Sequence, residues 1–281
     1  MIKQLSKKIL PRRLWARLRV MRVHRLVEKY QTRLVQHIYS DLQLTIELTD
    51  PLAQGWYDHD WPELTEIAFL RRHRLKRGAR VFDLGAHQCV VALILADVVG
   101  PSGLVIAVEA NAHNAAAGKR NKELNKSDQL HVLHGAVAER SGELILNEGL
   151  NGQVDDGSNG YGQVRVPAYS VDDLSLKYGM PDVLFIDVEG YECHALRGAT
   201  ETLLTSPDCF VEVHVGEGLE KFGGSVAAVE DFFPRDRYEL WMASDVHREF
   251  IPFALDSAMA TERFFLIAVN KYEIVIGDFK R

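Results

Sequence analysis

Between residues 80 and 214 the chain alternates short apolar runs with helical patterns, and this alternation restricts the fold more than any other feature. Residues 80–83, 104–109, 130–134, 183–187 and 210–214 are short and dominated by aliphatic and β-branched side chains, which predicts strands. Residues 90–99, 114–125 and 192–204 predict helices between them, the first ended by Gly100-Pro101. Consecutive strands separated by helices pair in parallel through right-handed crossovers, so the expected fold class is α/β with a doubly wound, mostly parallel sheet. Beyond His214 the pattern changes. Residues 238–243 and 263–269 predict two strands with no clear helix between them, which reads as a long hairpin adding an antiparallel edge strand. Residues 144–146 and 164–168 predict strands flanking 151–162, a Gly-, Asn- and Asp-rich stretch that reads either as a solvated hairpin loop or as a mobile lid over a substrate.

The 281 residues are 47% hydrophobic, enough for one large core. No run of about 18 apolar residues predicts a membrane span, and the N-terminus lacks the apolar stretch of a secretory leader. Three cysteines, Cys89, Cys193 and Cys209, form neither a disulfide framework nor a Cys-x-x-Cys zinc pair, so a reducing, cytoplasmic compartment is expected. Charge divides the chain in two. Residues 1–40 hold eleven Lys and Arg against one acid, Glu28, and read as a basic helical extension interrupted near Pro11; residues 41–281 form the main domain, with 22 basic and 38 acidic residues. In the extension Leu10, Leu14, Leu18 and Met21 share a helical face among Arg12, Arg13, Arg19 and Arg22. Two readings stand: a peripheral contact of residues 1–35 with an anionic membrane surface or partner, or a terminal helix docked on its own domain or a second subunit. The acidic main domain argues against nucleic acid as a partner. Between the two parts lie Trp56, Tyr57 and Trp61, and Pro62 is placed to open a helix running through Ile67 and Leu70, with Gly78 as its stop.

The first chemical signal is Asp83-Leu84-Gly85-Ala86-His87-Gln88-Cys89, at the end of the first predicted strand of the alternating series. Ligands of open α/β sheets sit beyond the carboxyl ends of the strands. Gly85 permits a tight turn and close backbone approach, and Ala86 adds little bulk. The spacing is not Gly-x-Gly-x-x-Gly, and Asp83 would oppose a pyrophosphate, which disfavours a nicotinamide cofactor. A cofactor with a cationic amino acid portion suits Asp83 instead. Glu109, ending the next strand, is placed to accept hydrogen bonds from two ribose hydroxyls.

The second signal is Asp187-Val188-Glu189-Gly190-Tyr191-Glu192, which sets three acids beside a glycine turn; after the next strand come Glu212 and His214 on one face. Together with Asp83-Leu84-Gly85-Ala86, Val108-Glu109-Ala110-Asn111, Leu196-Arg197-Gly198-Ala199 and Glu212-Val213-His214, these pieces resemble the FkbM-like family of S-adenosylmethionine-dependent methyltransferases across roughly residues 60–270. The resemblance implies a Rossmann-like class I methyltransferase sheet of seven strands with an antiparallel last strand. It implies O-methylation of a hydroxyl on a sugar, glycan or natural product. His87 and Cys89 stand where such proteins usually carry Asn and Gly.

The expected cofactor is S-adenosylmethionine, held by Asp83, Gly85, Ala86, His87, Glu109, Ala110, Ala136 and Asp187. The expected catalytic residues are Asp187, Glu189 and His214. His214 titrates nearest neutral pH and so is the foremost candidate base, with Asp187 or Glu189 orienting it or acting as base in its place. The same acids, with Glu212 as a further ligand, are compatible with a divalent ion, but two or three carboxylates and one histidine do not specify a site, and no metal is assigned. Other readings from the same residues are an RNA methyltransferase with a basic arm, and a catalytically silent binding module, suggested by Cys89. Cys89 itself reads as a small packing residue, or as a thiol activated by a helix N-terminus.

Overall fold

The computed structural model describes residues 12–147, 149, 153–154, 162–244 and 248–272. The alternating series forms as expected. Strand β3 (Arg80–Leu84) is followed by helix α4 (Val90–Val99), β4 (Leu104–Glu109), α5 (Ala112–Leu124) and β5 (Leu130–His134). After α6 (Val171–Tyr178) come β10 (Val183–Ile186), α7 (Glu192–Arg197), α8 (Thr200–Leu204) and β11 (Asp208–Val213). All pairings among β3, β4, β5, β10 and β11 are parallel. The spatial order is β5-β4-β3-β10-β11, so the winding reverses between β3 and β10. That reversal opens a crevice at the strand ends. Both faces of these strands are covered, which is why they read as continuous apolar runs rather than as alternating ones.

The tail corrects the edge-strand expectation. Strand β14 (Phe264–Asn270) is antiparallel, as expected, but inserts between β11 and β12 (Tyr238–Ala243). Its sequence FFLIAVN is apolar enough for an interior position, and Leu266, Ile267 and Ala268 are buried. The sheet therefore has seven main strands, with the two-residue β13 (Ile251–Pro252) adding an eighth at the β12 edge. The helix expected over 192–204 is broken in two at Gly198-Ala199. A side chain at Gly198 would lie 2.3 Å from the carbonyl oxygen of Ala138, so a neighbouring loop packs directly on the break.

Two further regions depart from expectation. The helical extension stops early: α1 is Arg12–Lys29, and Arg33–Tyr39 is a strand, β1, paired antiparallel with β2 (Leu42–Leu48). Leu34 and Ile38 fit a helical stripe four residues apart, but the same spacing places them on one face of a strand, where both are exposed. Of the apolar face expected on α1, Leu18 and Met21 are exposed, Leu10 lies outside the described residues, and nothing is described of the Leu14 side chain. Among the described side chains of this helix, Val20 is the buried one. The helix expected from Pro62 begins instead at Thr65, as α3 (Thr65–Leu70), while Pro51 opens α2 (Pro51–Tyr57). Asp50 caps α2, accepting hydrogen bonds from the Leu52 and Ala53 amides at 2.8 and 2.9 Å.

A small second sheet, in the order β6-β9-β7-β8, joins β6 (Ala136–Val137), β7 (Gly142–Asn147), β8 (Gln153–Val154) and β9 (Gln163–Tyr169). Of the loop-or-lid segment 151–162, residues 153–154 form β8, and 151–152 and 155–161 lie outside the described residues.

Asparagines on α5 tie the β1–β2 hairpin to the crevice. The Asn125 side chain accepts from the Thr45 amide at 2.9 Å and donates to the Thr45 carbonyl at 2.8 Å. Asn121, fully buried, accepts from the Glu47 amide at 2.8 Å and donates to the Gln88 carbonyl at 3.0 Å. Gln88 in turn donates to Asp50 at 2.8 Å. One chain of hydrogen bonds thus links the hairpin, the loop after β3 and the helix carrying Trp56. Replacing Asn121 by Ala leaves the Gln88 carbonyl without this donor, and should cost about 1–3 kcal/mol of folding stability. Urea unfolding checks this; a loss below about 0.5 kcal/mol would show that the link is not structural.

Candidate active site

The crevice forms where the chain backbone comes closest to itself. Gly85 leaves β3 with φ of +99°, and a Cβ there would lie 1.6 Å from the Asp187 carbonyl oxygen, so only glycine fits. The amides of Gly85 and Ala86 donate to the Val108 carbonyl at 2.9 and 3.1 Å, and the Asp187 amide donates to the Leu84 carbonyl at 2.9 Å. His87 and Cys89, where the family pattern usually carries Asn and Gly, both adopt left-handed conformations, with φ of 47° and 65°. The glycine-like turn therefore survives both substitutions. Cys89 is accommodated because residue 118 has no side chain: a Cβ at Gly118 would meet the Cys89 sulfur at 2.5 Å. Burial drives the Cys89 thiol well above its ordinary range, so it is a packing residue and not an activated thiol.

Glu109 ends β4, 6% exposed. It accepts from the His87 amide at 2.8 Å and the Asn111 amide at 2.7 Å. Burial outweighs these bonds and pushes its carboxyl up to about 7. Asp83 is 5% exposed, and its Oδ2 has no hydrogen-bond partner in the protein. Burial, then the nearby Glu109 charge, push Asp83 up to about 7 as well. A buried carboxylate oxygen without a donor suits a cationic ligand group. Asp83, the Gly85 turn and Glu109 therefore fit S-adenosylmethionine on chemical grounds.

Gly85, His87, Glu109, Ala110, Ala136 and Asp187 line one crevice, together with Glu189. Asp83 and Ala86 line the adjoining chamber instead. Trp56, Gly85, His87 and Asp187 line both. Leu146 and Val154 of the small sheet complete the crevice wall. Tyr57, Trp61, Phe185, Phe210 and Phe265 give the chamber an aromatic lining. The expected site set omits these aromatics and Trp56, although Trp56, Tyr57 and Trp61 cluster in sequence, a density that in a polar segment is itself a signal. Tyr57 contributes its hydroxyl to the His87 Nδ1 at 2.7 Å, and burial holds His87 neutral by lowering its pKa to about 4.

The catalytic candidates converge. His214, 2% exposed, places Nδ1 at 2.7 Å from Glu192 Oε1. Its Nε2 faces Asp187 at 3.7 Å, Glu189 at 3.8 Å and Glu212 at 3.8 Å. Burial alone would lower the ring pKa, but the hydrogen bond to Glu192 and the charges of Glu192, Asp187 and Glu212 prevail and raise it to about 9. This departs from the expectation of a histidine titrating near neutral pH: at pH 7 His214 is an imidazolium, a poor base. The Asp187 carboxyl is raised as well. Enclosure by protein, then the Glu212 carboxylate, raise its carboxyl well above the ordinary range, while its side chain remains 44% open to the crevice. Glu189 sits at φ of 52°, a strained left-handed turn held by Gly190, whose absent Cβ would meet Gly218 at 2.5 Å.

Sheet order, glycine turn and strand-end acids define a Rossmann-like S-adenosylmethionine-dependent methyltransferase. A model of the methyltransferase FkbM domain matches residues 83–240, more than half of the sequence, and the chain belongs to the FkbM methyltransferase family. A model of protein-L-isoaspartate(D-aspartate) O-methyltransferase also matches residues 16–143. No curated protein matches the sequence. Among solved structures, FkbM methyltransferase from Methylobacillus flagellatus KT is similar at 14% identity and a TM-score of 0.45, over 68% of this chain and 43% of that one. This chain thus spans less than half the length of that protein. An O-methyltransferase from Bacillus cereus, in complex with SAH, is similar at 14% identity and a TM-score of 0.44, over 96% of each chain. A putative rRNA methylase from Clostridium thermocellum is similar at 14% identity and a TM-score of 0.46, over 73% of this chain and 93% of that one.

The raised pKa of His214 sets a sign for pH dependence. The folded ring titrates at about 9 and the unfolded ring at 6.5, so its stabilising contribution is complete below about pH 6.5 and is lost as pH rises through about 9. Glu192→Gln removes the largest raising influence and should flatten the fall in unfolding free energy between about pH 7 and 9. Urea unfolding at a series of pH values reads this directly, and parallel profiles for the two proteins would refute the assignment.

Proposed function

We propose that the chain is an O-methyltransferase transferring the methyl group of S-adenosylmethionine to a hydroxyl of a sugar, glycan or related natural product. The observation that carries this reading is the junction of two cavities at Asp187. On one side the crevice offers Glu109 for ribose hydroxyls; on the other the chamber offers the unpartnered Asp83 oxygen and an aromatic wall. The bound cofactor supplies an electrophilic methyl carbon on a positively charged sulfur.

The remaining work falls to the chain. Asp83 would hold the cofactor's ammonium group, Glu109 its ribose, and Ala110 and Ala136 the apolar surface beside them. Asp187, at the junction, is the candidate base: its ionised carboxylate would orient the acceptor hydroxyl and take its proton while the methyl group leaves the cofactor's sulfur, as a neutral thioether, for the acceptor oxygen. A carboxyl raised above the ordinary range is, once ionised, a stronger base than one of ordinary acidity. His214, as an imidazolium, is a positioning residue that fixes Asp187 and Glu189. The chamber supports the acceptor class. Trp56, Tyr57 and Trp61 offer flat faces for the C–H surface of a sugar ring, and Glu66 and Glu212 offer acceptors for its hydroxyls. These acids are unfavourable to RNA phosphates.

Helix α1 supports a peripheral membrane contact. Leu18, Met21 and Leu26 are exposed beside Arg17, Arg22 and Arg25. No described helix is long and apolar enough to cross a membrane. The three buried free cysteines fit a cytoplasmic location.

Incubating the protein with methyl-labelled S-adenosylmethionine and separated sugar, lipid and RNA fractions should label the sugar fraction; label in RNA alone would overturn the acceptor class. Asp187→Asn should then lower single-turnover transfer by about 10²–10⁴-fold. Calorimetry of the same variant separates this from lost cofactor affinity, and a full rate removes Asp187 as base. For α1, co-sedimentation with anionic vesicles should occur at low salt and weaken at high salt; no binding at low salt would leave α1 as a docked helix.

A further inference from the structure

The ring of acids around His214 has a feature that proton chemistry leaves unused. His214 is 2% exposed, and only its Nδ1 is hydrogen-bonded. Its Nε2 makes no hydrogen bond to the protein, yet faces carboxylate oxygens of Asp187, Glu189 and Glu212 at 3.7, 3.8 and 3.8 Å. These distances are too long for hydrogen bonds. They are suited to donor atoms that share a cation. Around an octahedral ion bound at about 2.1 Å, adjacent donors lie about 3.0 Å apart and opposite ones about 4.2 Å apart. One donor atom each from Asp187, Glu212 and His214 lies within 4.8 Å of the others.

The surroundings agree. Metal-binding histidines commonly give their second nitrogen to a carboxylate, which fixes the ring and its tautomer. Glu192, fully buried, does this for His214 at 2.7 Å and is itself held by the Gly190 amide at 2.8 Å. Arg263 orients Glu212 at 3.2 Å. Asp187 is open to the crevice, so an exogenous oxygen could complete the coordination, as catalytic metal sites require. We infer that Asp187, Glu212 and His214 form a binding site for a hard divalent cation of the Mg²⁺/Mn²⁺ class, the imidazole favouring Mn²⁺ over Mg²⁺. A bound cation displaces the ring's Nε2 proton, so the imidazolium of the cation-free chain becomes a neutral ligand. The consequence for the reaction rests on the methyltransfer reading: the cation would act as a Lewis acid on the acceptor hydroxyl and make its proton easier for the second Asp187 oxygen to accept.

The site is tested on metal-free full chain with no cofactor and no acceptor. Mn²⁺ titration followed by electron paramagnetic resonance should show one tightly bound ion per chain, displaced by excess Mg²⁺. Glu212→Gln should weaken binding at least about tenfold, and Glu192→Gln, which touches no cation, about 10–100-fold. Glu66→Gln, in the same chamber but outside the cluster, should bind as the unmodified chain does. Circular dichroism on each variant confirms folding. Absence of stoichiometric Mn²⁺ up to millimolar concentration overturns the site, as does equal binding by the Glu212 and Glu66 variants. Either result leaves methyl transfer to be judged on its own assay.

Discussion

The contact between Gly85 and the Asp187 carbonyl holds the site together. It lies between β3 and β10, where the winding of the sheet reverses, and brings the cofactor turn and the acid turn together across a single strand spacing. Any side chain at position 85 would force these turns apart. The same backbone proximity places Asp187 on the wall of both cavities, so the residue assigned to the chemistry is located by main-chain packing rather than by a flexible loop. The strained φ of Glu189 and the close packing of Gly190 on Gly218 continue this constraint into the turn that follows.

How much of this the sequence revealed depends on whether a residue's role is local. Strands buried on both faces announce themselves as apolar runs, and β4, β5 and β12 form with the bounds expected of them. Asp83, Gly85, Glu109 and Asp187 were legible because strand ends and glycine turns are local signals. The β1–β2 hairpin was not: Leu34 and Ile38 satisfy helical and strand spacing alike, and the asparagines that fix the hairpin lie some eighty residues further on. The interior position of β14 was hidden for the same reason, since strand order is a property of the assembled sheet. The charge state of His214 was hidden more deeply. A lone histidine suggests a titration near neutrality, and only the assembled ring of Glu192, Asp187 and Glu212 reverses that expectation.

The site concentrates negative charge where burial makes it costly. Asp83 and Glu109 stand at the end of adjacent strands, nearly buried, and each titrates at about 7. Asp187 and Glu212 crowd the next two strand ends. A fold optimised for stability alone would place apolar side chains at such positions, because removing buried charge is commonly neutral or stabilising. What such an arrangement favours is a positively charged ligand, which relieves the desolvated carboxylates as it binds.

The two halves of the crevice answer this problem differently, and the difference separates binding from chemistry. Glu109 is tied to the amides of His87 and Asn111, so its orientation is set before any ligand arrives. Asp83 keeps an unpartnered oxygen, so its compensation must come from the ligand. Around Asp187 the protein supplies its own cation, His214, braced by Glu192. That internal cation is held at ion-pair distance rather than in a direct hydrogen bond to Asp187, which leaves the carboxylate oriented yet still able to accept a proton. Without a bound cation, a neutral His214 could not balance three facing carboxylates, and a direct bond to Asp187 would quench the basicity that the proposed proton removal requires. The buried Glu192, far from being a surplus acid of the Asp-Val-Glu-Gly-Tyr-Glu segment, is therefore the residue that lets one histidine organise the others.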